Sequence, residues 1–150
     1  MKPRRVGSDD LAALASVHAR AFQPSWNESE IADLLAGTGA FGLVLGDPDP
    51  VAMILCRAVA GESEVLTLAV APQARRRGLG SALVSAAARI ATENGAAEMF
   101  LEVAADNPGA IGLYERHGFV CAGRRPGYYL RPNGATDAII MRCDLNSGAD

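Results

Sequence analysis

The stretch VLTLAVAPQARRRGLGSAL, from Val65 to Leu83, restricts the fold more than any other part of the chain. Leu66, Leu68 and Val70 alternate with Val65, Thr67 and Ala69. One face is wholly apolar and the other nearly so, the pattern of a strand covered on both sides. Pro72 cannot donate to a ladder and ends the strand. Arg75, Arg76 and Arg77 follow, then Gly78, Leu79, Gly80 and Ser81; beyond them Leu83, Val84, Ala87 and Ile90 recur at helical spacing. The first turn of a helix has backbone N–H groups without partners and carries the positive end of the helix dipole. Glycines let a ligand approach that backbone, and arginines add full charge beside it. Such a strand–loop–helix junction is expected to hold a phosphate or pyrophosphate. The alternative is a solvated basic turn whose glycines serve chain geometry alone.

The surroundings of this junction read as one domain covering residues 1–150. A net charge of −3 argues against wholesale nucleic-acid binding, so the arginine cluster is a local feature. No apolar run approaches the ~20 residues of a membrane span, and MKPRRVGSDD has no apolar core of a secretory signal. Cys56, Cys121 and Cys143 are odd in number and lack CxxC spacing, which points to reduced cytosolic thiols rather than bridges or metal ligands. The expected location is therefore cytoplasmic.

Pro3 to Val6 suits a short strand. Ser8 is placed to cap a helix that runs toward Phe22, with Asp9 and Asp10 in its first turn. His18 on that helix has no second ligand at metal spacing and reads as an ordinary packed or surface histidine rather than a ligand. Ser25 and Glu28 form a capping box for a second helix that buries Ile31, Leu34 and Leu35 and stops near Gly37. Phe41–Leu45 and Val51–Val59 flank GDPDP as an antiparallel hairpin, and Gly61-Glu62 turns into the opening strand. The helix after Gly80 ends at Asn94-Gly95, and Met99–Val103 follows as a strand. A crossover of this length implies parallel pairing with the opening strand. Asn107 caps a last helix with Pro108 at its first position, and Gly118 ends it. Phe119–Ala122 and Ala138–Leu145 are late strands joined by the turn-rich RRPGYYLRPNGATD, and the tail NSGAD is expected to fray. The result is an α/β fold: a mixed sheet with one central parallel pair.

Open α/β sheets bind ligands beyond the carboxyl ends of their strands. Glu102 sits there, in FLEVAADN. Packed between neighbours it would have a raised pKa and act as a base near neutral pH; on an open sheet face it would be an ordinary surface glutamate. Tyr114, in AIGLYERHGF, is either a core ring or a phenol able to protonate a leaving group. Asn107 is a cap or a binder of an amide-rich cofactor arm. His117 is expected to interact with the dipole at its helix end. Trp26 is packing or the wall of a groove.

Three segments, LAVAPQARRRGLGSALV, FLEVAADNPGAIGLYERHGF and YYLRPNGATDAIIM, resemble the GNAT superfamily of N-acetyltransferases, and within it the RimI-like ribosomal-protein-alanine N-acetyltransferases. Arg75-x-x-Gly78-x-Gly80 matches the family's pyrophosphate loop. The resemblance spans residues 1–145 and is strongest from Val65 on. It implies the GNAT fold with a splayed parallel strand pair, and acetyl-CoA as donor. It implies that Leu68, Ala69 and Val70 offer backbone groups to the acetyl-pantetheine. Arg76, Arg77, Gly78, Leu79, Gly80 and Ser81 would cradle the pyrophosphate, with Arg75 shaping the loop and Asn107 binding the cofactor arm. Glu102 would be the general base and Tyr114 the general acid, and no metal is implied. The acceptor would be a protein or peptide N-terminus, with the enzyme a monomer or weak dimer. Tyr128 and Tyr129 would grip that peptide. RimI-like chains carry a basic or polar pair ahead of the tandem tyrosines, whereas this chain reads Arg125-Pro126-Gly127, a reshaped loop over the acceptor groove. Two alternatives remain at this level: a GNAT enzyme for a small amine (polyamine, antibiotic or amino acid), or a non-catalytic CoA-binding module.

Overall fold

In the computed structural model, which describes residues 2–146, the Val65–Val70 run is the inner part of β4 (Glu62–Val70). Around it lie β1 (Arg4–Arg5), α1 (Leu11–Ala21), α2 (Glu28–Leu35), β2 (Ala40–Leu45) and β3 (Ala52–Val59). After it come α3 (Leu79–Glu93), β5 (Glu98–Ala104), α4 (Pro108–Arg116), β6 (Val120–Arg131) and β7 (Gly134–Asp144). The seven strands form one sheet in the order β1-β2-β3-β4-β5-β7-β6. Among the described residues β4 and β5 pair in parallel and every other neighbouring pair is antiparallel. The expected mixed sheet with its central parallel pair is therefore present.

Two apolar layers sandwich the sheet. On one face α1 and α2 bury Leu14, Val17 and Ile31 against Val44, Met53, Leu55 and Ala69. On the other, α3 sets Leu83, Val84, Ala87 and Ala91 against Ile54, Cys56, Val65, Met99 and Leu101. Leu83, Ala87 and Ala91 recur every fourth residue with Val84 beside Leu83, which puts all four in one stripe. On the α1/α2 face the helices reach no further than β4 in the packed layer, so β5, β7 and β6 present an open surface there. The alternation expected of β4 is interrupted. Leu55 faces Thr67 but Cys56 faces Val65, so Leu66 is an extra residue in a bulge. Val65, Leu68 and Val70 consequently pack with α3, while Leu66 and Ala69 pack with α1 and α2.

Three local expectations need correction. Ser8 lies in a short 3-10 turn (Ser8–Asp10) ahead of α1 and does not cap it. Asp10 instead accepts from the Gly7 N–H at 2.7 Å and pairs with Arg4 at 2.9 Å, and its carboxyl is held down at about 2 by that guanidinium. The capping box of α2 is Asn27 and Glu30, two residues later than expected. Asn27 Oδ1 accepts from Glu30 N, and Glu30 Oε1 from Asn27 N. The reason is that the Trp26 N–H already donates to His18, so the helix starts after it. The segment RRPGYYLRPNGATD is mostly strand: β6 and β7 form one long hairpin turning at Pro132 and Asn133. Pro126 is tolerated because Pro126, Gly127 and Tyr128 bulge out of an edge strand between the paired Arg125 and Tyr129. The tail from Ser147 on, expected to fray, lies outside the described residues.

Leu83 is fully buried between α3 and the sheet, so Leu83→Ala removes apolar contact without disturbing any polar group. We expect it to lower unfolding stability by about 2–5 kcal/mol with an unchanged urea m-value. A loss below about 1 kcal/mol in equilibrium denaturation would contradict this packing.

Candidate active site

The pairing of β4 with β5 is brief. Only Glu62–Glu64 and Glu98–Phe100 are in register, after which the strands part. On its other side β4 stays paired with β3 through Val70, and Ala71 N donates to Val51 O at 2.8 Å. Since strand peptide groups alternate in direction, Ala69 and Ala71 face β3, while Leu68 and Val70 direct their N–H and C=O groups into the gap. Of the three residues expected to offer backbone groups, Leu68 and Val70 face the gap and Ala69 faces β3.

At the carboxyl end of β4 the basic loop folds into a concave turn. Arg76 has φ of +66° and Gly78, the N-cap of α3, has φ of +75°. Left-handed residues alternating with ordinary ones aim successive N–H groups at one point, which makes an anion nest at a helix N-terminus. Arg75 Nε donates to Val70 O at 3.1 Å, tying the loop to the strand end. Arg77 reaches Gln73 O at 3.4 Å, and the Arg76 side chain is exposed. Leu79 is buried under the loop. Gly80 serves packing as well as approach: a Cβ there would lie 3.1 Å from the Leu113 side chain on α4. Ser81 Oγ is 2.7 Å from His117 Nε2, so His117 joins the end of α4 to the first turn of α3 rather than serving the helix dipole alone. Asn107 caps α4 through Oδ1, which accepts from Ala110 N at 3.2 Å, leaving its NH2 group to other partners.

Glu102 and Tyr114 approach the gap from opposite faces. Glu102 stands on the open face with 31% of its side chain exposed, 3.1 Å from Arg125 Nε; it is not packed between Phe100 and Val103. It borders a groove of ≈ 400 Å³ floored by Phe100 and Ile140 and edged by Arg57, Glu62, Glu64 and Arg125. Tyr114 lies on the α3 side, buried edge-to-face against Phe119 at 5.6 Å. Burial pushes its phenol well above the ordinary value, so the hydroxyl keeps its proton. Tyr129, half-buried, lies within electrostatic reach of both, and its own phenol is raised by burial and then by the Glu102 charge.

Three ion pairs hold the β6–β7 hairpin beside this centre. Asp137 accepts from Gly127 N at 2.9 Å and Arg124 Nε at 2.7 Å, which straps the bulge. Arg125 pairs with Glu102 and lies over the Tyr128 ring at 5.6 Å. Arg131 lies over the Tyr129 ring at 5.4 Å and grips Asp106, next to Asn107, through two bonds of 2.9 and 3.2 Å. Tyr128 is exposed, whereas Tyr129 is half-buried, so the two tyrosines are not equivalent.

This arrangement has close counterparts among known proteins. Residues 11–119 match the model of the acetyltransferase (GNAT) family. The [ribosomal protein bS18]-alanine N-acetyltransferase of Escherichia coli (strain K12) is 33% identical over 137 residues, covering 91% of this chain and 93% of that protein. The enzyme of the same name from Salmonella typhimurium is 34% identical over 142 residues, covering 94% and 95%. The crystal structure of the Escherichia coli ribosomal-protein-S18-alanine N-acetyltransferase superposes with a TM-score of 0.89 at 31% identity, covering 96% of this chain and 93% of that one. The chain belongs to the GNAT acetyltransferase family.

GNAT enzymes take their acetyl group from acetyl-CoA, and this chain is an acetyl-CoA-dependent N-acetyltransferase. Its residues fit the donor. The gap presents the peptide groups of Leu68 and the N–H of Val70 to an amide-bearing arm, the Val70 carbonyl being taken by Arg75, and the nest at Arg76–Gly78 suits a pyrophosphate. Cys56 is buried, which pushes its thiol up and keeps it protonated, consistent with direct transfer.

Sequence reasoning missed the supporting residues. Asp106, Asp137 and Thr67 carry no motif, and only the folded hairpin brings Arg131 and Arg124 to the two aspartates. Of the packed and surface alternatives open for His18, the structure takes the packed one. It is buried with its ring between Phe22 and Trp26, each 4.7 Å away.

Burial lowers the pKa of both His18 and His117 from the ordinary 6.5. The unfolded chain therefore binds protons more readily than the folded one just below that value. The stability these groups contribute is present above pH 6.5 and is lost as pH falls through the lowered folded values. We expect the urea midpoint to be lower at about pH 5 than at about pH 7.5. Equal midpoints would contradict the neutral state of the buried His18 and half-buried His117 imidazoles.

Proposed function

We propose that the enzyme acetylates the α-amine of a protein N-terminus, with a ribosomal protein beginning in alanine as the leading acceptor. The observation that carries this reading is the groove beside Glu102. It is open, floored by the apolar side chains of Phe100 and Ile140, and close to charge balance, with Glu64 paired to Arg57 and Glu102 to Arg125. An extended peptide suits such a surface, whereas a polyamine calls for an acidic cage. The names of the relatives agree with it, since they are alanine N-acetyltransferases of ribosomal protein bS18.

The donor supplies an activated thioester; the remaining work falls to the chain. Glu102 accepts a proton from the acceptor ammonium, directly or through water, once that ammonium replaces Arg125 as its partner. The Val70 N–H, directed into the gap, stabilises the negative charge that develops on the acetyl oxygen. Tyr114, kept protonated by burial, delivers its proton to the departing sulfur. Arg75, Arg76, Arg77, Gly78, Leu79, Gly80 and Ser81 shape and line the pyrophosphate cradle. The Asn107 NH2 group serves the cofactor arm, and Tyr128 and Tyr129 wall the peptide.

The test uses a lysine-containing peptide that begins with alanine, free or N-formylated, with acetyl-CoA and mass-spectrometric site assignment. We expect one acetyl group on the free α-amine and none on the blocked peptide; modification at lysine alone, or of spermidine alone, would overturn the reading. Glu102→Gln should lower turnover by about 10²-fold or more while changing acetyl-CoA affinity by less than about twofold. Full turnover in that variant across the pH range would remove Glu102 as the base.

A further inference from the structure

A polar contact between Ser81 and His117 joins the first turn of α3 to the end of α4. The first backbone donor used inside α3 is Ala82 N, which reaches Gly78 O at 3.0 Å. The N–H groups of Leu79, Gly80 and Ser81 before it have no partner among the described residues, and they belong to the turn that follows the nest. Ser81 directs its hydroxyl at α4, where Oγ lies 2.7 Å from His117 Nε2. Gly80 beside it packs closely on Leu113. Leu113 and His117 are four residues apart on one helix, so they present one face of α4 to this turn. The backbone of His117 is itself fixed: its N–H donates to Tyr114 O at 2.9 Å, and its carbonyl accepts from Cys143 Sγ on β7 at 3.5 Å. One imidazole therefore connects the donor turn to the helix that carries Tyr114.

A hydroxyl can accept one hydrogen bond while donating another, so the imidazole proton sets the direction of this contact. With Nε2 bare, Ser81 donates to the ring and its oxygen offers only lone pairs to the cradle. With a proton on Nε2 the ring donates, and the Ser81 O–H is left to donate to an anion. We propose that His117 is a positioning residue of the donor site, that its Nε2–H turns the Ser81 hydroxyl into a donor for the pyrophosphate, and that donor binding draws a second proton onto the ring. Nδ1 has no hydrogen-bond partner among the described residues, so that proton breaks no contact. In the free protein burial disfavours the imidazolium, and the charge of Arg116 on the same helix adds to it. The groove beside the ring brings Arg89 from α3 and Arg142 from β7, opposed by Asp144, while burial keeps the Cys143 thiol protonated. A pyrophosphate at the turn places full negative charge next to Ser81 and reverses that balance. The inference rests on the reading of Arg76–Ser81 as the pyrophosphate cradle.

The probe is 3′-dephospho-CoA, because a phosphate monoester itself titrates near pH ~6 whereas the pyrophosphate diester that remains does not. Its binding would be measured by isothermal titration calorimetry at about pH 6.5 in two buffers of different ionisation enthalpy, which yields the protons taken up. Backbone amide shifts of Leu79, Gly80 and Ser81 would be followed in the same titration. We expect uptake of roughly 0.3 proton or more per site in the wild-type chain, falling below about 0.1 in both His117→Gln and His117→Leu. Ser81→Ala and His117→Leu should each weaken binding by about three- to tenfold, and the double variant no further. His117→Gln, whose amide can still donate to Ser81, should stay within about threefold of wild type. Shifted amides with uptake below about 0.1 in the wild type, or with equal uptake in His117→Gln, would overturn the role of His117 while leaving the cradle in place. Amides that do not move on binding would instead overturn the cradle, and the proposal with it.

Discussion

The parallel ladder between β4 and β5 ends at Glu64 and Phe100, and the rest of the structure depends on where it stops. A parallel pair that continued would consume the inward peptide groups of Leu68 and Val70 and close the sheet. By stopping, it leaves a gap that communicates with both faces. One face is covered by α3 and α4, which bring the cradle loop, Asn107 and Tyr114. The other is open from β5 outward and presents Glu102. Donor and acceptor can then meet through the sheet from opposite sides, with the transferring group beside the strand end. The bulge at Leu66 belongs to the same device, since it resets which β4 side chains face each layer just where the strands begin to part.

Ionic contacts organise the acceptor side more than apolar packing does. β6 is an edge strand whose residues are nearly all exposed, so burial contributes little to holding it. Asp137, Glu102 and Asp106 receive Arg124, Arg125 and Arg131 in turn, spaced along one hairpin. Exposed pairs of this kind are individually weak, at about 0–1 kcal/mol. Their value lies in fixing the bulge that leaves Tyr128 exposed and Tyr129 half-buried.

The central architecture was legible in the sequence because it is written in local chemistry: the β-run before Pro72, the arginines and glycines, the Asn-Pro helix start. What was hidden depends on partners distant in the chain. The bulge at Leu66 appears only when β3 lies alongside. Gly80 looked like a point of ligand approach, yet it also makes room for Leu113, which α4 supplies from 33 residues onward. The outer ends of the β6–β7 hairpin were expected as strands, but its inner part was read as a connection because an exposed edge strand shows no apolar alternation and because Pro126-Gly127 resembles a turn; the true turn signal was Pro132-Asn133-Gly134. The cap of α2 shifted from Ser25 to Asn27 because His18, seven residues before Ser25, had already engaged Trp26. For Glu102, sequence left burial and exposure open, and the face on which β5 sits decided for exposure.

The claim on which all of this rests is that the open β4–β5 gap and the nest after it form one continuous donor site. Backbone hydrogen exchange with and without acetyl-CoA measures this most directly, because it reads the peptide groups themselves. The account requires the Leu68 and Val70 amides and those of Arg76 to Ser81 to slow together, by about tenfold or more at saturating donor, while β1 and β2 remain unchanged. Protection confined to the loop, or absent from both Leu68 and Val70, would contradict it.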